Sequence, residues 1–376
     1  MNIKRLETSR LFHRFGFGPR PGEYAQALKD GVNVTRTKLT TAPATLTTST
    51  PVALPAITDL GKRPKDKTPE SVPFALAMRS QTQQMGLWWL DMMALSDHGL
   101  TERMVWFWHG HWATSIQKLN YALPMYKQNQ IFRTHALGNF NAMTKAMLND
   151  GALQFWLDGQ DNTAKAPNEN LGRELMELFV LGVNRYSEDD VKAISRVLTG
   201  YQVEKSSGVV TINQNRRDAN PVTLLGKTAS FTGDSLTDFL VARDDCATFI
   251  SERLWYRFIS STETMPTSFS AKQGFATRDL AATIQAIAAD PSMSDEKYAM
   301  VKSPVEWFIS ACRALELTPS ALKTPGQLNN HLDKLGQVPF NPPNVGGWPA
   351  GEAWLSSATA QYRLAFAAWL IKQSNL

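Results

Sequence analysis

The feature that most constrains how this chain can fold is the run of residues 106–112, which places His109 and His111 among four large aromatic side chains. Aromatic residues at this density are typical of a hydrophobic core. A polar group buried in such a core is retained only when it is hydrogen-bonded, paired or bound to a metal. The run therefore marks a place where a buried polar site is expected.

A second group of polar residues follows at residues 167–177, at the predicted start of a helix. Glu174 and Glu177 are three residues apart and therefore share one face of that helix. Glu169 precedes the first turn, where a carboxylate can cap free backbone N–H groups. Polar side chains in the same stretch are Asn168, Asn170 and Arg173.

Two interpretations of these residues stay open from the sequence. In the first, carboxylates and imidazoles converge on a site that binds a divalent metal ion or performs acid–base catalysis. The residues assigned to that site are Glu174, Glu177 and Arg173 for catalysis, His109, His111 and Glu174 for the metal, and Asn168, Glu169 and Asn170 as supporting polar groups. In the second, the cluster is structural, and a buried arginine–glutamate pair holds two helices together.

The metal interpretation depends on Gly110. Side chains two positions apart on a continuous α-helix point about 200° away from each other. His109 and His111 can therefore share a ligand only if the helix ends at Gly110. A glycine at the end of a long apolar run favours such a break.

The rest of the chain predicts a mainly α fold. Apolar residues recur at helical spacing over residues 73–99 and 100–113, and Glu102 lies in the first turn of the second helix, where it suits the helix dipole. Further helices are predicted at residues 1–14, 23–29, 120–149, 152–158, 170–182, 187–200, 235–260, 277–289, 292–298, 303–316, 325–335 and 357–373. Alternating residues between glycines predict a small β-hairpin insertion near residues 201–234. We predict a single large helical domain, residues 1–376.

Residues 32–72 differ in composition from the rest of the chain. They are rich in threonine and contain five prolines, which argues against regular structure and predicts a loop or a long arm. This arm supports an alternative function. The chain would then be a non-catalytic interaction or assembly protein whose arm docks on a partner.

Composition narrows the class of protein. The net charge of +5 is modest and its cations are spread along the chain, so nucleic-acid binding is not predicted. No stretch approaches the roughly 20 apolar residues of a membrane span. Residues 1–12 lack the apolar core of about 7–15 residues found in a secretory signal, which predicts a cytoplasmic location.

Five motifs occur in order, at residues 13–19, 102–112, 167–179, 186–201 and 342–349. Together they resemble the bacterial domain-of-unknown-function family numbered 1800, over the chain from about residue 10 to the C-terminus. The resemblance implies a bacterial protein but no activity. Its members are often encoded beside commonly exported proteins of the domain-of-unknown-function family numbered 1501, which implies such a protein as a partner and leaves an exported or periplasmic location open.

This chain departs from the family pattern at one place. Many members carry a His-Asp pair ahead of a Gly-x-Lys-Thr segment. Here Arg216, Arg217 and Asp218 precede residues 225–228, which read Leu-Gly-Lys-Thr. A site that used the missing histidine would differ in this protein.

Overall fold

Helices dominate the fold, as the spacing of apolar residues predicts. The structure is a computed structural model that describes residues 2–42 and 52–374. Within these residues it contains 18 α-helices and two small antiparallel two-stranded sheets, so the mainly α class is confirmed. None of the helices in this part of the chain combines the length and the apolar character needed to cross a membrane.

The first nine helices are α1 (Ile3–Arg14), α2 (Glu23–Asp30), α3 (Val32–Thr40), α4 (Ser71–Leu95), α5 (Gly99–His111), α6 (Ile116–Leu119), α7 (Ala122–His135), α8 (Phe140–Leu148) and α9 (Gly151–Trp156). The other nine are α10 (Asn170–Glu174), α11 (Glu188–Val197), α12 (Gly233–Ala242), α13 (Asp244–Phe258), α14 (Ala271–Gly274), α15 (Leu280–Ala289), α16 (Pro304–Ala314), α17 (Leu328–Lys334) and α18 (Ser357–Gln373). A π-helical turn, Leu175–Val180, continues α10.

The core surrounds α5, in which every residue from Leu100 to His111 is buried. Helices α4 and α7 pack against it. One cluster of buried apolar side chains extends from Leu11 to Leu370, so segments from both ends of the chain contribute to the same core.

Because α5 is buried on all sides, its polar side chains must find partners inside the protein. Glu102 accepts hydrogen bonds from Arg133 Nε at 3.0 Å, Arg133 Nη2 at 2.9 Å and Trp89 Nε1 at 3.1 Å. The side chains of Arg133 and Glu102 are only 8% and 2% exposed. One carboxylate thus connects α5 to α7 and α4, a larger role than the helix-dipole contact expected from the sequence.

The region predicted as one hairpin contains two. Strand β1 (Tyr201–Glu204) pairs with β2 (Val209–Ile212), and β3 (Val222–Leu224) pairs with β4 (Lys227–Ala229). The second hairpin turns at Leu225 and Gly226, which both have positive φ, 49° and 81°. Two such residues form the tight turn that suits the twist of paired strands. The predicted small β insertion is therefore present, with a second hairpin added.

The start of the predicted arm is a helix. Residues Val32–Thr40 form α3, which packs against α1 and α2. The hydroxyls of Thr35 and Thr40 donate to the carbonyls four residues earlier, each at 2.9 Å, so the threonines fit a helix once packing supplies the remaining stability. Residues Val32–Thr40 therefore differ from the predicted irregular structure, whereas residues 52–70 contain no helix or strand. Residues 43–51 lie outside the described part of the chain.

The predicted helix at residues 292–298 is also wrong. Only a short 3₁₀ turn, Pro291–Met293, forms there. Arg10 donates to the carbonyl oxygens of Met293 at 2.9 Å and Asp295 at 2.7 Å. Carbonyls that a helix would use internally are therefore bound by a guanidinium group that is distant in sequence.

Glu102→Gln tests whether the buried ion pair holds the core helices together. The change leaves the guanidinium group of Arg133 buried without a counter-charge, so we expect the free energy of unfolding to fall by about 3 kcal/mol. Urea titration of the full chain measures this loss. The matched control is Glu252→Gln, whose carboxylate is 43% exposed and pairs with Arg185 at the surface, and it should cost less than about 1 kcal/mol. Equal losses in the two variants would contradict the role given to Glu102.

Candidate functional site

The helix that carries the two histidines does not break at Gly110. Helix α5 continues to His111 and is capped by the backbone N–H of Trp112, which donates to the Trp108 carbonyl. Gly110 instead lies against the loop of residues 341–349. A Cβ atom on Gly347 would stand 2.2 Å from the Gly110 carbonyl oxygen, so only glycine at position 347 permits this approach.

The two imidazoles point into different aromatic clusters. Among the described residues they share no aromatic neighbour. The rings whose centroids lie within 6.4 Å of the His109 ring are Trp89, Trp106, Phe132, Phe340 and Trp348. Those around His111 are Phe107, Trp108, Trp112, Phe179 and Phe249. The geometry of a continuous helix therefore separates the two rings.

His109 is a hydrogen-bond acceptor inside the core. Its Nε2 accepts the backbone N–H of Phe340 at 3.1 Å. Phe340 has a positive φ of 63°, which is costly for a bulky residue, and its carbonyl accepts from Ile116 N at 2.9 Å. Burial lowers the pKa of His109 to about 3, so its ring is neutral at pH 7. His109 thus fixes the turn that leads into the loop of residues 341–349.

His111 has the opposite hydrogen-bonding role. Its Nε2 donates to the Phe179 carbonyl at 2.9 Å, and its Nδ1 is buried with no hydrogen-bond partner among residues 2–42 and 52–374. Phe179 lies in the π-helical turn, near a helix end where carbonyls lack intrahelical partners. Burial, with the nearby cations Arg253 and Arg257, lowers the pKa of His111 to about 3.

Arg173 forms ion pairs at the surface. It donates to Glu188 at 2.8 Å and to Glu169 at 3.1 Å, linking α10 to α11. These pairs raise the pKa of Arg173. The structural interpretation expected a buried arginine–glutamate pair, but the pair that links these helices is at the surface. Glu188 is largely exposed, so the contribution of the pair to stability is small.

The two carboxylates of the predicted site lie close together on α10 and the π-helical turn. Burial first, and then repulsion by Glu177, raises the pKa of Glu174. The Tyr186 hydroxyl donates to Glu177, and burial together with this contact raises the pKa of Tyr186 to about 12. The catalytic assignment of Glu174, Glu177 and Arg173 stays a prediction.

The supporting amides organise the loop that precedes α10. Asn168 Oδ1 accepts the Asn170 N–H at 2.9 Å, and the Asn168 N–H donates to Asn162 Oδ1 at 2.9 Å. Asn170 Nδ2 donates to Asp158 at 3.4 Å. These are the local hydrogen bonds by which Asn and Asp stabilise turns.

Within residues 2–42 and 52–374, no group of three or more His, Cys, Asp or Glu side chains is arranged to hold a metal ion. His109, His111 and Glu174 are not brought together as such a group. The backbone partners of the two histidines, Phe340 and Phe179, were not predicted. Both are far from the histidines in sequence, and no residue pattern near a histidine indicates such a distant contact. The cations that neighbour His111, Arg253 and Arg257, were not predicted either.

The pH dependence of stability tests whether both histidines are buried as neutral rings. Each histidine has a folded pKa near 3, below its unfolded pKa of about 6.5. Its contribution to the free energy of unfolding is therefore fully present above pH 6.5 and is lost as the pH falls towards 3. In that window, each histidine should lower the free energy of unfolding by about 1.4 kcal/mol for every unit by which the pH falls. His109→Gln and His111→Gln should each remove the contribution of one histidine to the slope of the free energy of unfolding against pH. Urea unfolding between pH 7.5 and 4.5 measures this slope.

The control for this measurement is His331→Gln. The His331 ring is partly exposed and its Nδ1 is within 2.9 Å of the Tyr362 hydroxyl, with a pKa lowered by weaker burial. His331→Gln should change the slope of the free energy of unfolding against pH less than His109→Gln or His111→Gln does. If the free energy of unfolding changed with pH equally in the wild type and in His111→Gln, the His111 ring would be protonated as readily in the folded protein as in the unfolded chain.

Comparison with known proteins gives a family match. The sequence model described as "Protein of unknown function (DUF1800)" matches residues 10–375. No curated protein and no solved structure matches the chain. The match covers essentially the whole chain.

Proposed function

Because the chain belongs to the DUF1800 family, whose description assigns no activity, we propose a function from the geometry: a non-catalytic assembly protein that self-associates through the exposed face of α18. The internal hydrogen bonds of His109, His111 and Arg173 support a structural role for these members of the polar cluster. The observation that carries the proposal is the apolar surface of the last described helix.

Helix α18 is mostly outside the core. Of its 17 residues, only Phe366 and Leu370 are buried. On the opposite face Leu364 is 75% and Ile371 is 56% exposed, and the exposed alanines 365 and 368 lie between them. Residues at this spacing form one continuous stripe along a helix. A contiguous exposed apolar stripe is typical of a contact surface.

A second copy of the same helix fits this stripe. The small alanines let two helices approach closely, while Leu364 and Ile371 fill the spaces on either side. In an antiparallel pair related by a two-fold axis, Lys372 at the end of one α18 lies towards Glu352, just ahead of the other α18. Both side chains belong to exposed residues. Opposite charges at the two ends and antiparallel helix dipoles therefore favour this arrangement.

The arm at residues 52–70 is less suited to a partner. Ile57 and Val52 pack against the chain's own core, and the Tyr121 hydroxyl donates to the Gly61 carbonyl at 3.1 Å. A partner from the family numbered 1501 stays a prediction from the family resemblance. A monomeric chain that binds such a protein would favour that partner over self-association.

Leu364→Asp places a charge in the centre of the stripe and should convert a dimer into a monomer. We expect the dissociation constant of the dimer to rise about tenfold or more, because a desolvated carboxylate has no partner there. Light scattering coupled to size-exclusion chromatography at tens of micromolar protein measures the mass. Leu54→Asp is the matched control, since Leu54 is 74% exposed on the arm, and it should leave the mass unchanged.

The antiparallel arrangement has its own test. Lys372→Glu should weaken the dimer, and the double variant Lys372→Glu with Glu352→Lys should restore it, because the pair is exchanged across the two-fold axis. A wild-type chain that is monomeric over the same concentration range would overturn the proposal. A dimer that the double variant does not restore would overturn its antiparallel geometry.

A further inference from the structure

A pocket lies between the end of α1, the turn of residues 15–22, helices α2 and α3, and the residues that lead into α5. Its volume is about 230 Å³. An engineered apolar cavity of about 150 Å³ is known to take up a benzene molecule, so this pocket has room for an aromatic ring with a short substituent. Helix α18 contributes no residue to the pocket, so ligand binding here is independent of self-association.

One wall of the pocket is the glycine-rich turn of the motif at residues 13–19, of which residues 15–18 line the cavity. Gly18 has a positive φ of 104°, and its carbonyl accepts Arg313 Nε at 2.7 Å. A Cβ atom at position 18 would stand 2.8 Å from Ser310 Oγ. A glycine at this position therefore lets the turn pack closely against α16, which carries both Ser310 and Arg313.

The interior of the pocket is apolar, and its mouth is exposed. The apolar side chains that line it are Phe12, Phe15, Phe17, Ala27, Val34 and Leu39. Val34 is 58% exposed, and the lining residues Asp30 and Lys38 are also exposed. The pocket therefore opens to solvent between α2 and α3, and a ligand can reach apolar surface that the protein already encloses.

Arg313 provides an unused hydrogen-bond donor in this pocket. Its side chain is only 7% exposed. Its Nη1 donates to the carbonyls of Ala94, at 3.0 Å, and Ser96, at 3.2 Å, whereas its Nη2 donates to no residue in the described part of the chain. Glu23 Oε2 lies 3.7 Å from Nη2, beyond hydrogen-bonding distance. Buried donors normally have acceptors, so this nitrogen indicates a missing partner.

Glu23 provides an unused acceptor next to this donor, and it also lines the pocket. Its Oε2 accepts the backbone N–H of Arg20 at 2.7 Å. Its Oε1 accepts no hydrogen bond from residues 2–42 and 52–374. A hydroxyl group or a primary amide can hydrogen-bond to both residues at once, because each of these groups donates and accepts.

The charges around the pocket are balanced. The carboxylates of Glu23, Asp30 and Asp97 are matched by the cations Arg20, Lys38 and Arg313. Of these, Asp97 pairs with Arg20 at 2.8 Å. His98 adds little charge at pH 7, because burial lowers its pKa below the ordinary value of about 6.5. A charged ligand would lose its hydration without gaining an unpaired counter-charge, so the pocket favours a neutral one.

We propose that this pocket binds a small neutral organic molecule that has an apolar body and one hydroxyl or primary amide group. The polar group accepts from Arg313 Nη2 and donates to Glu23 Oε1. The apolar body contacts the apolar side chains of α1, α2 and α3. Removal of the apolar body from water supplies most of the affinity, and the two hydrogen bonds orient the ligand.

Binding can be tested on the full chain with benzyl alcohol and benzamide as neutral probes. Benzoate and benzylammonium are charged controls of nearly the same size. The methyl resonances of Ala27 and Leu39, which line the pocket, report binding in ¹H–¹³C spectra. We expect saturable shifts with the neutral probes, and a dissociation constant at least about tenfold higher for each charged probe. No saturable shift with the neutral probes would overturn the site, and equal affinity for the charged probes would overturn the neutral assignment.

Val34→Trp tests whether the probes enter through the mouth of this pocket. The indole ring fills space that the ligand needs, so the dissociation constant of benzyl alcohol should rise about tenfold or more. Val183→Trp is the matched control, because Val183 is 57% exposed and does not line the pocket, and it should bind as the wild type does. Equal affinities in the wild type and Val34→Trp would overturn the location of the site.

Glu23→Gln tests the position of the polar group. The variant leaves the charge of Arg313 without the nearby carboxylate, so the pocket should accept an anion more readily. We expect the dissociation constant of benzoate, divided by that of benzyl alcohol, to fall at least about tenfold relative to the wild type. A loss of packing alone would weaken both probes and leave this ratio unchanged, and an unchanged ratio would contradict the contact with Arg313 and Glu23.

Discussion

The structure depends on the complete burial of α5 together with its polar side chains. A helix surrounded by apolar residues cannot leave a carboxylate, a guanidinium group or an imidazole without partners, because each would lose its hydration without compensation. The partners are contributed by separate segments of the chain, which are thereby fixed around the helix. They are Arg133 for Glu102, Glu306 for Arg103, the Phe340 N–H for His109 and the Phe179 carbonyl for His111.

Signals within a few residues of each other predicted where several helices begin and end, because local interactions determine those boundaries. Helix α11 lies within the predicted range 187–200 and begins with a capping box of Ser187 and Asp190, and the last helix has the predicted bounds, Ser357–Gln373. Helix α3 was missed because its threonine-rich sequence is helical only through packing against α1 and α2. The residues of the candidate site could be listed from the sequence, but their hydrogen-bond partners could not. His109 and Phe340 are 231 positions apart.

The distribution of charge explains why the predicted metal site and the structure differ. The carboxylates of that prediction lie on α10 and the π-helical turn, where Arg173 and Tyr186 contact them. The surroundings of His111 instead contain the cations Arg253 and Arg257. Positive charge repels a metal ion and attracts an anion. Sequence patterns do not predict these cations beside His111, because Arg253 and Arg257 come near His111 only when α13 packs close to α5.

The central claim is that both histidines are neutral and held in opposite tautomers by backbone partners. The structure requires a proton on Nδ1 of His109, since its Nε2 accepts from Phe340, and a proton on Nε2 of His111, which donates to Phe179. Long-range ¹H–¹⁵N correlation spectra of histidine-labelled protein at pH 7 distinguish the two forms directly. We expect His109 and His111 to be in different tautomers, with resonance positions that do not change between pH 5.5 and 7.5. The same tautomer in both rings, or a ring that titrates in this range, would contradict this expectation.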